Sequence, residues 1–180
     1  MRKVLFILGE LNEQDLDWLA TSGSPRAIAP GQSIIRQGRV IDSMFIVLRG
    51  AFCVAIEGQE DKPLAVLGAG EIVGEMSLVD HGAPSATVRA LADSHVLELP
   101  RAELELKLKQ DVGFAARFHR ALAVFLSDRL RSTFQALGDG ASISLDEHVL
   151  EDREVDPAVL DKVALAGLRF DTMLRRLLPE

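Results

Sequence analysis

The chain has 180 residues, 48% of them hydrophobic, with one cysteine and a formal net charge of -7 at pH 7. That length and apolar content support a single folded domain with an appendage, and a lone cysteine excludes an internal disulfide framework. An acidic chain is also poorly suited to nucleic acid, whose binding rests on basic side chains that release counterions from phosphates.

The apolar run VLFIL, Val4 to Leu8, follows Arg2 and Lys3 and leads directly into Gly9 and Glu10. It is too short for a secretory core or a membrane span, so neither is expected. Asn12 to Ala20 reads as a short helix with Asn12 at the N-cap, Asp15 at the capping-box position and Leu11 placed to staple onto Leu16. From Pro25 to Leu99, glycines separate short runs such as SIIRQ, MFIVL, AFCVAI, LAVL, ATVRAL and HVLEL. These predict a mainly β fold, an antiparallel β-roll or jelly-roll barrel with flanking helices. Cys53 sits in one of the apolar runs and reads as a buried, reduced thiol of a cytoplasmic protein.

Helix returns at Arg101, after Pro100. Asp111 is placed to cap a longer helix running to Leu137. In that helix the segment Ala121 to Leu126 is apolar all round, which calls for two buried faces. One face belongs on the barrel. The other, through Phe118, Leu122, Phe125 and Leu126, falls either on a second copy, giving a homodimer, or under the chain's own tail. Gly138 to Ser144 reads as a linker, followed by an acidic stretch to Asp156. Asp156-Pro157 then opens a last helix, Asp at the N-cap and Pro at N1. The expected division is a domain over residues 1–137 and a linker with a helical tail over 138–180. From Gly138 onward five basic residues face ten acidic ones, so DNA is not the expected partner. His81, His95, His119 and His148 have no metal-ligand spacing, and no catalytic triad or nucleophile stands out.

The run VGEMSLVDHGAPSATV, Val73 to Val88, carries the candidate site. Gly74 leaves room for a ligand, and Glu75 to Val79 can form a helical turn whose free N–H groups face an anion. Glu75, an acceptor when ionised, suits a ribose hydroxyl, although Gly-Glu before an apolar turn equally suits a plain helix start. Ser85 and Thr87 offer hydroxyls from the far side of the loop, where Ala86 is also small.

This run resembles the phosphate-binding cassette of the cyclic nucleotide-binding domain family, of which the catabolite activator protein is a type. Gly74, Glu75, Met76, Ser77 and Leu78 match its first half, and Ser85, Ala86, Thr87 and Val88 its end. PGQSIIRQG, DSMFIVLRG and LGAGEIVGE agree as well, so the resemblance covers roughly Leu11 to Arg131. It implies a stand-alone bacterial member without a DNA-binding domain, acting as a non-catalytic regulatory or adaptor module in signalling. It needs no cofactor, and its implied ligand is cAMP or cGMP. One departure is clear: the family's phosphate-binding arginine falls on Pro84. A charge-assisted bond to phosphate contributes about 1.5 to 3 kcal/mol, so the change weakens the expected nucleotide site. Arg89 lies on the Ser85 and Thr87 face of a strand and His81 in the loop; both are more commonly solvent-facing. The alternative is a degenerate domain without nucleotide binding that serves as a scaffold for an unknown protein partner.

Overall fold

The computed structural model describes residues 9–59, 62–138 and 157–178. The readings of Val4 to Leu8, of the linker beyond Gly138 and of the acidic stretch to Asp156 lie outside them. The elements in chain order are α1 (Glu13–Ser22), β1 (Ser24–Ile28), β2 (Ser33–Ile35), β3 (Ser43–Arg49), β4 (Phe52–Ala55), β5 (Ala65–Leu67) and β6 (Ile72–Val73). They continue with α2 (Glu75–Asp80), β7 (Thr87–Ala90), β8 (Ser94–Pro100), α3 (Arg101–Gln110), α4 (Val112–Gly138) and α5 (Pro157–Leu177). Two four-stranded sheets, ordered β1-β8-β3-β6 and β2-β7-β4-β5, form the β-roll. Every pairing in them is antiparallel, as the short glycine-punctuated runs predicted.

The apolar run of β3 has a two-sided purpose. Alternate residues of a strand face opposite sides, and here Phe45 and Val47 enter the core between the sheets with Phe52, Val88 and Val96. Met44, Ile46 and Leu48 instead face a second core built with the helices. Two strands escaped the sequence-based examples for identifiable reasons. β1 contains Pro25, tolerated because β1 is an edge strand. β6 is two residues long, too short to show alternation.

The reversal between β3 and β4 depends on Gly50, whose φ is +95° and where a Cβ would lie 2.1 Å from Ser94 Oγ and 2.8 Å from Ser94 Cα. Ser94 is buried and cannot swing aside freely. Gly50→Ala therefore combines a left-handed backbone with a backbone clash and is expected to lower stability by about 2 kcal/mol or more. Urea unfolding checks this; an unchanged midpoint would mean that the turn relaxes without cost.

Helix ends follow the local rules. Asn12 Oδ1 accepts the Asp15 N–H at 2.9 Å, and Asp15 Oδ2 accepts the Asn12 N–H at 2.8 Å, completing the capping box. Asp15 is also buried. Burial alone favours its neutral form, but a two-pronged bond from Arg117 at 2.6 and 2.8 Å and the Asn12 N–H hold its pKa below the ordinary 3.8. Asp111 caps α4 by accepting the Phe114 N–H at 2.8 Å. Lys107 and that same N–H keep its carboxyl below the usual range.

In the helical core Phe114 stacks on Phe118 and meets Trp18 edge-on, while Ala166, Phe170 and Met173 of α5 enter the same cluster. Arg169 Nη1 donates to the Leu11 carbonyl at 2.7 Å, tying α5 to the start of α1.

Candidate functional site

The site is a cavity of about 290 Å³ between the second sheet, α2 and the distal half of α4. Its walls are largely apolar, with Ile35, Val54, Leu67, Val73 and Val88 contributed by the strands. Gly74 to Ser77 enter from one side, Pro84 to Ala86 from another, and Arg129 and Thr133 from α4. Gly74 opens α2 at φ +88°, and a Cβ there would approach Ile41 Cδ1 at 3.0 Å and the Ser43 carbonyl at 3.1 Å, which explains the glycine. The Pro84 carbonyl accepts the Gly38 N–H at 2.9 Å, so the β2–β3 loop fixes the far wall.

Glu75 is 2% exposed. Its Oε1 accepts from Arg129 Nη1, and Arg129 Nη2 lies 3.4 Å from the Ile72 carbonyl. The guanidinium carbon also sits 4.7 Å from the centre of the Phe125 ring one helical turn earlier, a cation–π contact that orients the fork. Burial pushes the Glu75 carboxyl above its ordinary pKa, while the Arg129 charge and the residue's own N–H pull it partly back. The cavity thus joins an apolar chamber to one carboxylate and one guanidinium. That set recognises hydroxyls and anions.

Of the residues singled out in the sequence, Gly74, Glu75, Met76, Ser77, Ser85 and Ala86 line this cavity, as does Pro84. Thr87 does not. Strand alternation turns Val88 inward, so Thr87 shares the other face with the exposed Arg89, and its Oγ1 accepts the Gln37 N–H at 3.1 Å. His81 is exposed at the end of α2 in a left-handed conformation. Arg129 and Thr133 were not anticipated; the Phe125–Arg129 spacing on α4 is the one sequence signal that pairs the guanidinium with a buried ring.

The apolar seam of α4 lies differently from a dimer face. Phe118, Leu122 and Phe125 are buried within the chain and Leu126 packs beside them, in the cluster that α5 completes. The second buried face is covered by the tail. Among the described residues, the large apolar side chains that α4 leaves exposed are Val112 at its first turn, 79%, and, on its distal half, Leu130 at 57% and Phe134 at 63%.

Two antiparallel sheets closed by a long helix over a pocket with a buried carboxylate define a β-roll ligand-binding domain. The chain belongs to the cyclic nucleotide-binding domain family, whose description matches residues 25–111. It is 38% identical over 117 residues to a cyclic AMP receptor protein of Thermus thermophilus, covering 63% of this chain and 52% of that protein. The chain therefore spans about half the length of that curated relative. A solved chain described under a cyclic-GMP-dependent signalling pathway that regulates bacterial phytopathogenesis is 30% identical, with a TM-score of 0.56 over 66% of this chain and 95% of that one. A cyclic nucleotide-binding domain from Methylobacillus flagellatus shares the fold at 21% identity, with a TM-score of 0.68 over 82% and 85% of the two chains. Among the described residues no helix is long and apolar enough to cross a membrane.

Proposed function

We propose that this chain is a non-catalytic regulatory module that takes a cyclic nucleotide, cAMP or cGMP, into the cavity beneath α4. The observation that carries the reading is Glu75, a buried carboxylate at the mouth of α2 in a chamber of about 290 Å³. A carboxylate in that setting accepts a ribose hydroxyl, and the apolar walls suit a purine face. The names of the Thermus relative and of the cyclic-GMP pathway chain support the ligand class. Cys53, expected to be buried, is only half-buried on β4. A ligand that contacts both α2 and α4 shifts the helix only by its differential affinity for the helix positions.

The reading is tested by calorimetric titration of cAMP and cGMP into the wild type and Glu75→Ala. Loss of the charged acceptor is expected to weaken binding by roughly tenfold to a hundredfold. Equal affinity in both proteins would place the ligand elsewhere.

A second reading rests on Pro84, which presents neither charge nor N–H to the cavity. In it the domain is a scaffold that meets a second copy or another protein through Leu130 and Phe134 of α4. Absence of binding to either nucleotide, with a dimer in sedimentation, would favour it.

A further inference from the structure

We propose that Arg129, carried on α4, is the cation that holds the ligand's phosphate in this pocket, so that anion recognition here belongs to the long helix and not to the loop around Pro84. The inference rests on the reading that a cyclic nucleotide enters the cavity.

Charge comes first. Glu75 and Arg129 are the charged side chains among the described residues that line the cavity. Without Arg129 a phosphodiester would meet a buried carboxylate and apolar walls, an arrangement that repels it in a poorly screened setting. With Arg129 in place the guanidinium sits between two anions. A carboxylate and a phosphate are the two groups its planar fork fits.

Geometry allows this without dismantling the pair. Nη1 bonds Glu75, whereas the Nη2 contact to the Ile72 carbonyl is 3.4 Å long, at the weak end of the hydrogen-bond range. A guanidinium has five N–H donors. A phosphate oxygen can therefore replace the long contact while Nη1 stays on Glu75. The Phe125 ring, 4.7 Å from the guanidinium carbon and 3% exposed, holds the fork aimed at the chamber. Phe118, Leu122 and Phe125 anchor α4 in the helical core just before this turn, so the cation's position follows the helix.

A regulatory consequence follows. If the phosphate is held from α4, its binding energy depends directly on where the distal half of α4 lies, and occupancy favours the present helix position. Pro84, fixed by the Gly38 N–H, takes no part in that link.

The test titrates cAMP and its uncharged counterpart adenosine into the wild type, Arg129→Gln, Pro84→Arg and the Pro84→Arg/Arg129→Gln double variant. Expected are micromolar cAMP binding by the wild type, a fall of roughly tenfold or more in cAMP affinity relative to adenosine affinity in Arg129→Gln, and recovery of that ratio in the double variant. Equal cAMP affinity in wild type and Arg129→Gln overturns the proposal and leaves the nucleotide reading standing. No binding by the wild type with clear binding by Pro84→Arg overturns it too, since Arg129 then does not suffice. No binding by any of them removes both the proposal and the nucleotide reading. If Arg129→Gln proves unfolded, Glu75→Gln is compared with Glu75→Gln/Arg129→Gln, neither of which buries a lone carboxylate. A fall in cAMP but not adenosine affinity between those two supports the proposal; equality overturns it.

Discussion

Arg129→Ala is expected to cost about 3 kcal/mol of stability at neutral pH, the low end of the range for breaking a buried ion pair. The low end applies because Glu75 is 2% exposed but Arg129 is 28% exposed on its side chain, which lets water reach the vacated position. The loss comes mainly from the carboxylate left behind. Burial already raises the Glu75 pKa, and the Arg129 charge is what pulls it back, so the variant raises it further. A carboxyl whose folded pKa lies above its unfolded value, about 4.5, contributes stability that is present below the unfolded pKa and lost as pH rises through the folded one. The deficit of Arg129→Ala relative to wild type should therefore shrink as pH falls from 7 toward that value. Adding Glu75→Gln should recover much of it at pH 7. Urea unfolding of the three proteins across this range decides the matter: a deficit independent of pH would assign the loss to the Phe125 contact instead.

This ion pair also marks where the sequence stops being legible. Glu75 and the small residues around it could be found because a turn, a glycine and short polar side chains leave a local pattern. Arg129 lies 54 positions away, and helical periodicity records only which residues of α4 are apolar, not what a polar one meets across the chamber. The same limit explains the seam through Phe118, Leu122 and Phe125. An all-round apolar helix says that two faces are buried, but the covering partner is set by tertiary contacts, and α5 supplies it here. Local rules fared better. The Asn12–Asp15 capping box, the Asp111 cap and the alternation of β3 each depend on neighbours within a few residues, so their chemistry could be read directly. Thr87 sits between the two cases: alternation places it opposite Val88, but its hydroxyl was free on the page of the sequence and is bound to the Gln37 N–H in the fold.

Phe118→Ala should lower stability by about 3 to 5 kcal/mol. Phe118 is 1% exposed and stacks on Phe114 with ring centres 5.5 Å apart, so its removal deletes an aromatic contact as well as buried area. The site cannot collapse easily, because β3 and β8 close it on one side and Phe170 and Met173 of α5 belong to the same cluster. The effect also separates two accounts of the α4 seam. If Phe118 packs only within its own chain, the shift in unfolding midpoint is the same at low and high protein concentration. A residue buried by a second copy would instead show a midpoint shift that changes with concentration, since association adds its free energy by mass action. Phe134→Glu provides the contrast: at 63% exposure it should leave the intrachain core intact and alter stability little. If the chain pairs through the distal turns of α4, this substitution and not Phe118→Ala lowers the sedimentation coefficient of an otherwise folded protein. A charge at Phe134 that leaves a dimer whole would move the pairing surface off α4 altogether.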